Sequence, residues 1–402
     1  MIAKLQSNRV RRSYLGGSRI DAFCQVESQK SKVEGPMSKI DESSGKRTFD
    51  LRHSTCDSSA GAQPRPEDWL ASTTQAFHGT LEIKGEGLGR LEGGRLVRDA
   101  VGELPILVKL LDSDERLVVQ AHPTVPCAQR LFHSPVGKTE CWYFLPGTAP
   151  DACVYLGFKP SITREAWEAA VRAEFAEEMS HAEFAESAEE TSVQETPRTP
   201  RTPRDSHLLT MLHRIPVSAC DFVFVDGGVP HAIGGGCFMI ELQEPSDLMV
   251  VAERFTPSGR RIPDAKMHGG VGWERMFDVY EYEGRTFEVT CGRYVRRAID
   301  HFGGDRRHLT PQSGNLKARS ADLKPEGLIC GPEFTDKFEM WRLAGGGAVA
   351  LSGASAVAVV TDGTGSLNGL PVNRGDRLVI SGEAALRADG ALSTVVCFRR
   401  TA

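Results

Sequence analysis

The chain has 402 residues, of which 40% are hydrophobic and 25% charged, a composition that excludes a wholly disordered protein. Its 48 basic and 53 acidic residues give a net charge of −5, so no global bias favours nucleic acid or an anionic membrane, and any phosphate site must be local. Ten cysteines without a C-x-x-C pair are too sparse for a disulfide scaffold and predict a reduced, cytoplasmic protein.

The N-terminal part, residues 1–65, is predicted to be one strand followed by a flexible loop. Five basic residues precede the first acidic one, Asp21, as they do in transit peptides, although such N-termini are also common in proteins that retain them. Residues 26–64 are rich in Ser, Lys, Asp and Gly without periodicity, which predicts the loop.

One helical insertion, residues 163–207, interrupts the β-rich pattern that follows. Thr163 is a predicted N-cap, and apolar Trp167, Val171 and Phe175 recur every fourth residue. A Glu-rich stretch and three Thr-Pro-Arg repeats then predict an exposed linker, because proline prevents helix and removes backbone donors. A docking or proline-directed phosphorylation site is the alternative for these repeats.

Short apolar runs separated by turn residues fill two blocks, residues 66–270 and 271–402. The longest uncharged run, 343–361, contains four glycines and two serines, so two buried strands joined by Gly353 describe it better than a membrane span. The predicted fold class is therefore all-β dominated, with two β-sandwich or barrel domains and a helical insertion.

Four polar residues form the strongest chemical constellation. Gln120 and His122 lie two apart on a strand-like run and would share a face, while Glu140 begins another such run and His231 lies in a glycine-rich turn. One amide, two imidazoles and one carboxylate make a mixed set that suits Zn²⁺ or a similar divalent ion with an open position. By spacing alone, packed or surface histidines remain an alternative.

These motifs resemble those of type I mannose-6-phosphate isomerases, which are cupins. The resemblance rests on VQAHP at 119–123, GKTECWY at 137–143, GFKP at 157–160, VPHAIGGGC at 229–237, ELQEPSD at 241–247 and the Gly375-Asp376 turn. Residues 8–17 and 67–72 also resemble the start of bacterial members, which argues against cleavage of the basic N-terminus.

The resemblance implies two jelly-roll domains, with the catalytic metal site in 66–270 and a covering jelly roll in 271–402. It implies one zinc ion per chain, held by Gln120, His122, Glu140 and His231. It also implies that Lys109 and Lys138 line a pocket for a phosphorylated hexose, since two ammonium groups suit a phosphate dianion. Glu241 matches a family carboxylate discussed as the base that moves a proton between C1 and C2.

Two departures from the family pattern concern the phosphate end of this site. Where the family has an arginine after its Ser-Asp run, this chain has Val251, and the nearest arginine is Arg254. Arg254 is predicted to replace the missing cation, which requires a bulge or shift because a three-residue offset changes strand face. Val118 stands where many members have a serine.

The predicted reaction is interconversion of mannose 6-phosphate and fructose 6-phosphate through an enediol(ate). A metal-binding cupin that has lost catalysis and acts as a sugar-responsive regulatory module is one alternative, and an isomerase for another aldose is a second. No nucleic acid or membrane partner is expected, and the oligomeric state is left open.

Overall fold

The computed structural model describes residues 1–24, 64–76, 83–174, 206–298 and 327–399. Of the predicted features, most of the 26–64 loop, the Glu-rich stretch and the Thr-Pro-Arg repeats lie outside these ranges. The strands, in chain order, are β1 (Ile2–Lys4), β2 (Arg9–Val10), β3 (Glu67–Leu70), β4 (Leu107–Ser113), β5 (Gln120–Ala121), β6 (Glu140–Phe144), β7 (Cys153–Phe158), β8 (Leu212–Pro216), β9 (Phe222–Val225), β10 (His231–Ile233), β11 (Cys237–Gln243), β12 (Val250–Val251), β13 (Val295–Arg296), β14 (Leu328–Cys330), β15 (Glu339–Ala344), β16 (Ala348–Ala350), β17 (Ala356–Leu367), β18 (Leu370–Asn373), β19 (Arg377–Ile380) and β20 (Ala385–Phe398).

Helices are short and few beside these strands. They are α1 (Ser18–Cys24), α2 (Val97–Val101), α3 (Val125–Phe132), α4 (described over 164–174), α5 (Asp264–Met267) and α6 (Phe287–Tyr294), with 3₁₀ turns at His207–Met211 and Met276–Val279. The predicted cap of α4 is confirmed, because the Ala166 amide donates to Thr163 Oγ1 at 3.2 Å. Trp167 and Val171 on its apolar face are fully buried.

Two sheets form the first sandwich, and the functional residues lie between them. The seven-stranded sheet has the order β13-β9-β6-β11-β4-β3-β2, and the five-stranded sheet has the order β12-β5-β10-β7-β8. In the described ranges every strand pair is antiparallel. All residues of β4, β6 and β11 are buried, as expected for central strands covered on both faces.

A third, eight-stranded sheet covers the seven-stranded one. Along β17 the side chains alternate: Val357 and Val359 join the core shared with the first sandwich, while Ala356, Ala358 and Val360 join a separate core on the opposite face. This two-sided burial explains the long uncharged run in the sequence. The run contains the end of β15, all of β16 and the start of β17, with Gly353 in a turn at φ 79°.

At both ends of the first sandwich, the sheets do not follow the block boundaries expected from the sequence. β1 pairs with β19 of the third sheet, Ile2 lying opposite Ile380, whereas β2 pairs with β3 of the seven-stranded sheet. Beyond residue 270, β13 still pairs with β9. Residues up to Arg296 therefore pack with the first sandwich, past the boundary expected at 270.

The mainly β fold class is confirmed. None of the described helices is long and apolar enough to cross a membrane.

Candidate metal centre and cavity

The predicted metal ligands are brought to one point by strands of both facing sheets. Gln120 on β5 lies directly opposite His231 on β10 in the five-stranded sheet. Glu140 begins β6 of the seven-stranded sheet, and His122 directly follows β5. Strands remote in sequence thus converge because the two sheets face each other across the sandwich interior.

A glycine allows the two sheets to approach at this point. A Cβ at Gly137 would lie 2.6 Å from the Pro123 carbonyl oxygen, closer than any side chain can come. With no Cβ in the way, the following amide, of Lys138, donates to that oxygen at 3.0 Å. This backbone bond fixes the start of β6 beside His122.

The functional atoms of the cluster are mutually close. The ligating atoms of His122, Glu140 and His231 all lie within 4.8 Å of one another, and all three residues are buried. His122 Nε2 is 3.2 Å from Glu140 Oε2, and His231 Nε2 is 3.4 Å from Glu140 Oε1. Gln120 Nε2 lies 3.3 Å from His231 Nε2, so the amide joins the same cluster.

Backbone contacts define which nitrogen of each imidazole faces the centre. His122 Nδ1 is 2.9 Å from the Leu248 carbonyl oxygen, and His231 Nδ1 is 2.9 Å from that of Val229. A carbonyl only accepts, so each Nδ1 carries the proton and each Nε2 is left with a lone pair directed at the cluster. This is the tautomer in which histidine binds metal.

The protonation states of the cluster also suit a cation. Burial, with the adjacent Lys138 charge, lowers the pKa of His122 to about 3, and burial lowers the pKa of His231. Burial alone would raise the pKa of Glu140, but Lys138 and His122 hold it well below its usual range. The histidines are therefore neutral and the glutamate ionised near neutral pH, as metal ligands must be.

Glu140 provides the test of whether a metal fits. Both of its carboxylate oxygens are buried, and neither accepts a hydrogen bond, although Lys138 Nζ lies 2.9 Å from Oε2. Buried carboxylate oxygens nearly always have donors, so a buried carboxylate whose one charged donor is the Lys138 ammonium is suited to binding a cation. The donor set of Glu140, two imidazoles and the Gln120 amide matches a four-coordinate divalent cation such as Zn²⁺.

Lys138 lies at the edge of this cluster. Its Nζ is 2.8 Å from His122 Nε2 and 2.9 Å from Glu140 Oε2. Its ammonium is thus an ion-pair partner of the Glu140 carboxylate.

A second pair of functional side chains lies on the seven-stranded sheet. Lys109 on β4 is directly opposite Glu241 on β11, and Lys109 Nζ lies 2.7 Å from Glu241 Oε1. Burial raises the pKa of Glu241, while Lys109 opposes that rise. Burial would lower the pKa of Lys109, but Glu241 and Glu67 raise it. The pair is therefore an ammonium held against a carboxylate of weakened acidity.

The N-terminal segment contributes to the same network. Arg12 donates from both terminal nitrogens to Asp247, at 3.2 and 3.3 Å, and its Nε lies 3.0 Å from Glu67 Oε2. Tyr14 donates to Glu67 Oε1 at 2.7 Å. Such buried pairs are worth most when every partner is satisfied, because removing one leaves an uncompensated charge.

These groups line one cavity. The empty space between its wall atoms, including the part open to solvent, is about 530 Å³. The charged and amide residues on its wall are Arg12, Glu67, Lys109, Gln120, Lys138, Glu241, Asp247 and Lys266. Gln120 of the metal cluster and Lys138, which contacts His122 and Glu140, are on this wall, so the cluster borders a cavity whose walls carry four cationic side chains.

Arg254, predicted to replace the family's arginine, is placed elsewhere. Its guanidinium donates to Asp264 and to the Ile262 carbonyl oxygen, and it lies 5.6 Å from the centroid of the Trp273 ring. It is not among the residues that line the cavity. The structure therefore brings Lys109, Lys138 and Glu241 to the cavity but not Arg254.

Sequence reasoning did not single out Arg12, Glu67, Asp247 or Lys266 as site residues. The first three lie within the segments that carry the family resemblance, which is the signal that could have identified them. Lys266 lies in a stretch without periodicity or motif, and no feature of the sequence marks it.

No protein-family model matches the chain. Curated relatives do: the chain is 30% identical over 159 residues to mannose-6-phosphate isomerase ManA of Bacillus subtilis, covering 40% of this chain and 37% of that protein. It is 31% identical over 144 residues to mannose-6-phosphate isomerase of Streptococcus mutans, covering 36% and 34% of the two chains. The match therefore spans little more than a third of each relative.

Similarity in fold extends over the whole chain. The crystal structure of mannose 6-phosphate isomerase from Bacillus subtilis superposes with a TM-score of 0.56 at 15% identity, covering 98% of this chain and 99% of that one. A zinc-bound mannose 6-phosphate isomerase gives a TM-score of 0.59 at 14% identity, with all of both chains covered. The curated relatives confirm the resemblance inferred from the motifs, whereas at this identity the superpositions show the fold alone.

Proposed function

We propose that this protein is a metal-dependent aldose–ketose isomerase that interconverts mannose 6-phosphate and fructose 6-phosphate. The observation that carries the proposal is the convergence of two neutral imidazoles and an ionised carboxylate on one buried point beside a cation-lined cavity. The names of the curated relatives support the choice of substrate. Because they match over a limited part of their length, the substrate is proposed here for this chain.

One zinc ion per chain would be held by Gln120, His122, Glu140 and His231. Gln120 can present its amide oxygen to the cluster by a half turn of its terminal amide, since oxygen and nitrogen are interchangeable in shape. When bound, the ion would supply a Lewis acid that stabilises negative charge on the sugar oxygens. The two Nδ1–H bonds to backbone carbonyls keep the imidazoles in the orientation required to bind it.

Glu241 is the proposed base. The reaction removes the proton on C2 of the aldose, gives an enediol(ate), and returns a proton to C1, while a hydroxyl proton passes from O2 to O1. A base of raised pKa suits both halves of this transfer, because it accepts a proton more readily than an ordinary carboxylate and can release it again. Lys109, at 2.7 Å, orients the carboxylate and stays charged throughout.

Lys138 is proposed to act at the reacting end of the sugar. It lies within 2.9 Å of Glu140 and His122, so its charge is next to the metal cluster. There it would stabilise charge that develops on the sugar oxygens. Lys109 is already paired with Glu241 and Glu67, so both lysines predicted to bind phosphate have carboxylate partners.

The domain assignment stays a proposal: residues 66–270 would form the catalytic unit, with the 163–207 insertion, and 271–402 the covering jelly roll, whose first part up to Arg296 packs against the catalytic unit. We also propose a cytoplasmic location. All nine cysteines in the described ranges are free thiols, as a reducing compartment requires.

A coupled assay of fructose 6-phosphate formation from mannose 6-phosphate tests the function. The zinc-loaded protein is expected to turn over, and dialysis against a chelator should lower kcat by roughly 10³-fold or more, with recovery when zinc is returned. Glucose 6-phosphate in place of mannose 6-phosphate controls for contaminating isomerases. Zinc-loaded protein that binds mannose 6-phosphate without turning it over would favour the regulatory cupin instead.

A further inference from the structure

The cavity contains one cation whose role the proposed chemistry does not explain. Arg12, Lys109 and Lys138 each form ion pairs with carboxylates. Lys266 also lines the cavity, but among the described residues its ammonium has no hydrogen-bond or ion-pair partner. An unpartnered, partly buried ammonium that faces a ligand cavity is available to a ligand anion.

The charges on the cavity wall indicate what that anion is. The four cations on the wall, Arg12, Lys109, Lys138 and Lys266, face three carboxylates on it, Glu67, Glu241 and Asp247, and Glu140 in the adjoining metal cluster is the fourth. A divalent cation in the cluster would leave the site with two excess positive charges. A phosphomonoester carries close to two negative charges at neutral pH, so it would neutralise the site.

The packing of α5 explains how a lysine comes to this wall. Val251 and Val118, the two positions where the chain departs from the family pattern, meet in one apolar cluster. The cluster is completed by Ile262 and by Met267, the residue that follows Lys266. The two valines therefore form the apolar surface against which α5 packs. Through this packing α5 brings the Lys266 ammonium to the cavity that Val251 also lines, where Val251 itself supplies no charge.

Arg254 holds the other side of this helix. It donates to Asp264, the first residue of α5, and its carbonyl accepts from the Ile262 amide at 2.8 Å. Arg254 is thus a positioning residue for the segment that carries Lys266.

We propose that Lys266 binds the phosphate group of the substrate and supplies the positive charge that Val251 lacks. The inference rests on the proposed function in that the ligand is a phosphorylated sugar, but it assigns a residue that the family pattern does not contain.

If Lys266 binds phosphate, the affinity for phosphate should depend on the ionisation of Lys266. The charged groups that act on it are Arg12 from the N-terminal segment, Glu67 from β3 and Asp247 from the loop after β11. Burial, with Arg12, lowers the pKa of Lys266 to about 8, against the opposing effect of Asp247 and Glu67. Ion pairing lowers the pKa of Glu67 and of Asp247, so both stay ionised in this range. Phosphate affinity should therefore be full between the second pKa of the phosphate group, about 6, and pH 8, and should decline as the pH rises above 8.

The test uses zinc-loaded protein and three variants: Lys266→Met, which removes the charge, Lys266→Arg, which keeps it, and Lys84→Met as an exposed lysine control. Calorimetric titrations measure the Kd of mannose 6-phosphate, of inorganic phosphate and of unphosphorylated mannose. Lys266→Met should weaken the two phosphate ligands by roughly 10- to 100-fold and leave mannose unchanged. Lys266→Arg should restore most of the affinity and remove its decline above pH 8, while Lys84→Met has no effect.

The outcomes separate this inference from the proposed function. If Lys266→Met weakens mannose and mannose 6-phosphate equally, or neither, Lys266 does not bind phosphate, even where the wild-type protein isomerises mannose 6-phosphate. If phosphate binding depends on Lys266 but the wild-type protein shows no isomerisation, the assignment of Lys266 stands and the proposed reaction is wrong.

Discussion

Replacing Glu140 by glutamine is expected to abolish stoichiometric zinc binding and to lower kcat/KM by on the order of 10³-fold or more. Glu140 is the single carboxylate of the cluster, and its two buried oxygens have no partner with good hydrogen-bond geometry beyond the Lys138 ion pair. In the glutamine variant all ligands of the divalent cation would be neutral. The cation would then also lie next to the Lys138 ammonium, whose Nζ is 2.9 Å from Glu140 Oε2 in the wild-type protein. Zinc per chain, measured by atomic emission after dialysis, and steady-state kinetics check the prediction.

Glu244→Gln is the matched control for this variant. Glu244 is also a buried carboxylate with a lysine partner, its Oε2 lying 2.7 Å from Lys337 Nζ, but it does not line the cavity. It should bind zinc and turn over like the wild-type protein. Equal loss of zinc in both variants would mean that general destabilisation, and not loss of a ligand, explains the result.

Glu241→Gln is expected to leave zinc binding and KM nearly unchanged and to lower kcat by roughly 10²- to 10⁴-fold. Glutamine has the same shape but cannot accept a proton from carbon. Lys109 keeps a carboxylate neighbour in this variant, because Glu67 Oε2 lies 3.7 Å from its Nζ. Incorporation of solvent deuterium at C2 of mannose 6-phosphate, followed by NMR, should fall by the same factor as kcat.

Glu253→Gln tests whether the loss of any buried, paired carboxylate has this effect. Glu253 is 2% exposed and pairs with Arg116 at 2.7 and 2.8 Å, and its side chain does not line the cavity. Its kcat should stay close to that of the wild-type protein. Full deuterium exchange in Glu241→Gln would mean that another group removes the proton.

Local patterns were sufficient for part of the site because strand alternation is a short-range property. Gln120 and His122 share a face for the reason that successive side chains of a strand alternate, and the glycine-rich turn positions His231 at the start of β10. The cross-strand pair of Lys109 and Glu241 needed the family resemblance, because register between strands more than a hundred residues apart is set by tertiary packing.

The alternation of side chains could not predict the position of Arg254, because it applies only within a strand. The strand that precedes it, β12, contains only Val250 and Val251. Beyond it the chain leaves the sheet, so face parity no longer describes where a side chain points. Arg254 instead contacts Asp264 at the start of a four-residue helix that no periodicity could have predicted.

The sequence did not reveal the buried ion pairs of Arg12, because they also depend on tertiary packing. Arg12 is 235 residues from Asp247, and its basic neighbours in the sequence made it look like part of a charged N-terminal segment. Only the packing of the N-terminal segment against the cavity shows that this arginine is a buried partner of two carboxylates.

We propose above that four side chains from two facing sheets hold one divalent cation. Diffraction from zinc-loaded crystals, recorded at the zinc absorption edge, tests it most directly. We expect one strong anomalous peak per chain, about 2.0–2.2 Å from Nε2 of His122 and His231 and from an oxygen of Glu140, with the Gln120 amide as fourth ligand. No peak at this position in zinc-saturated protein, or a peak held by other residues, would contradict it.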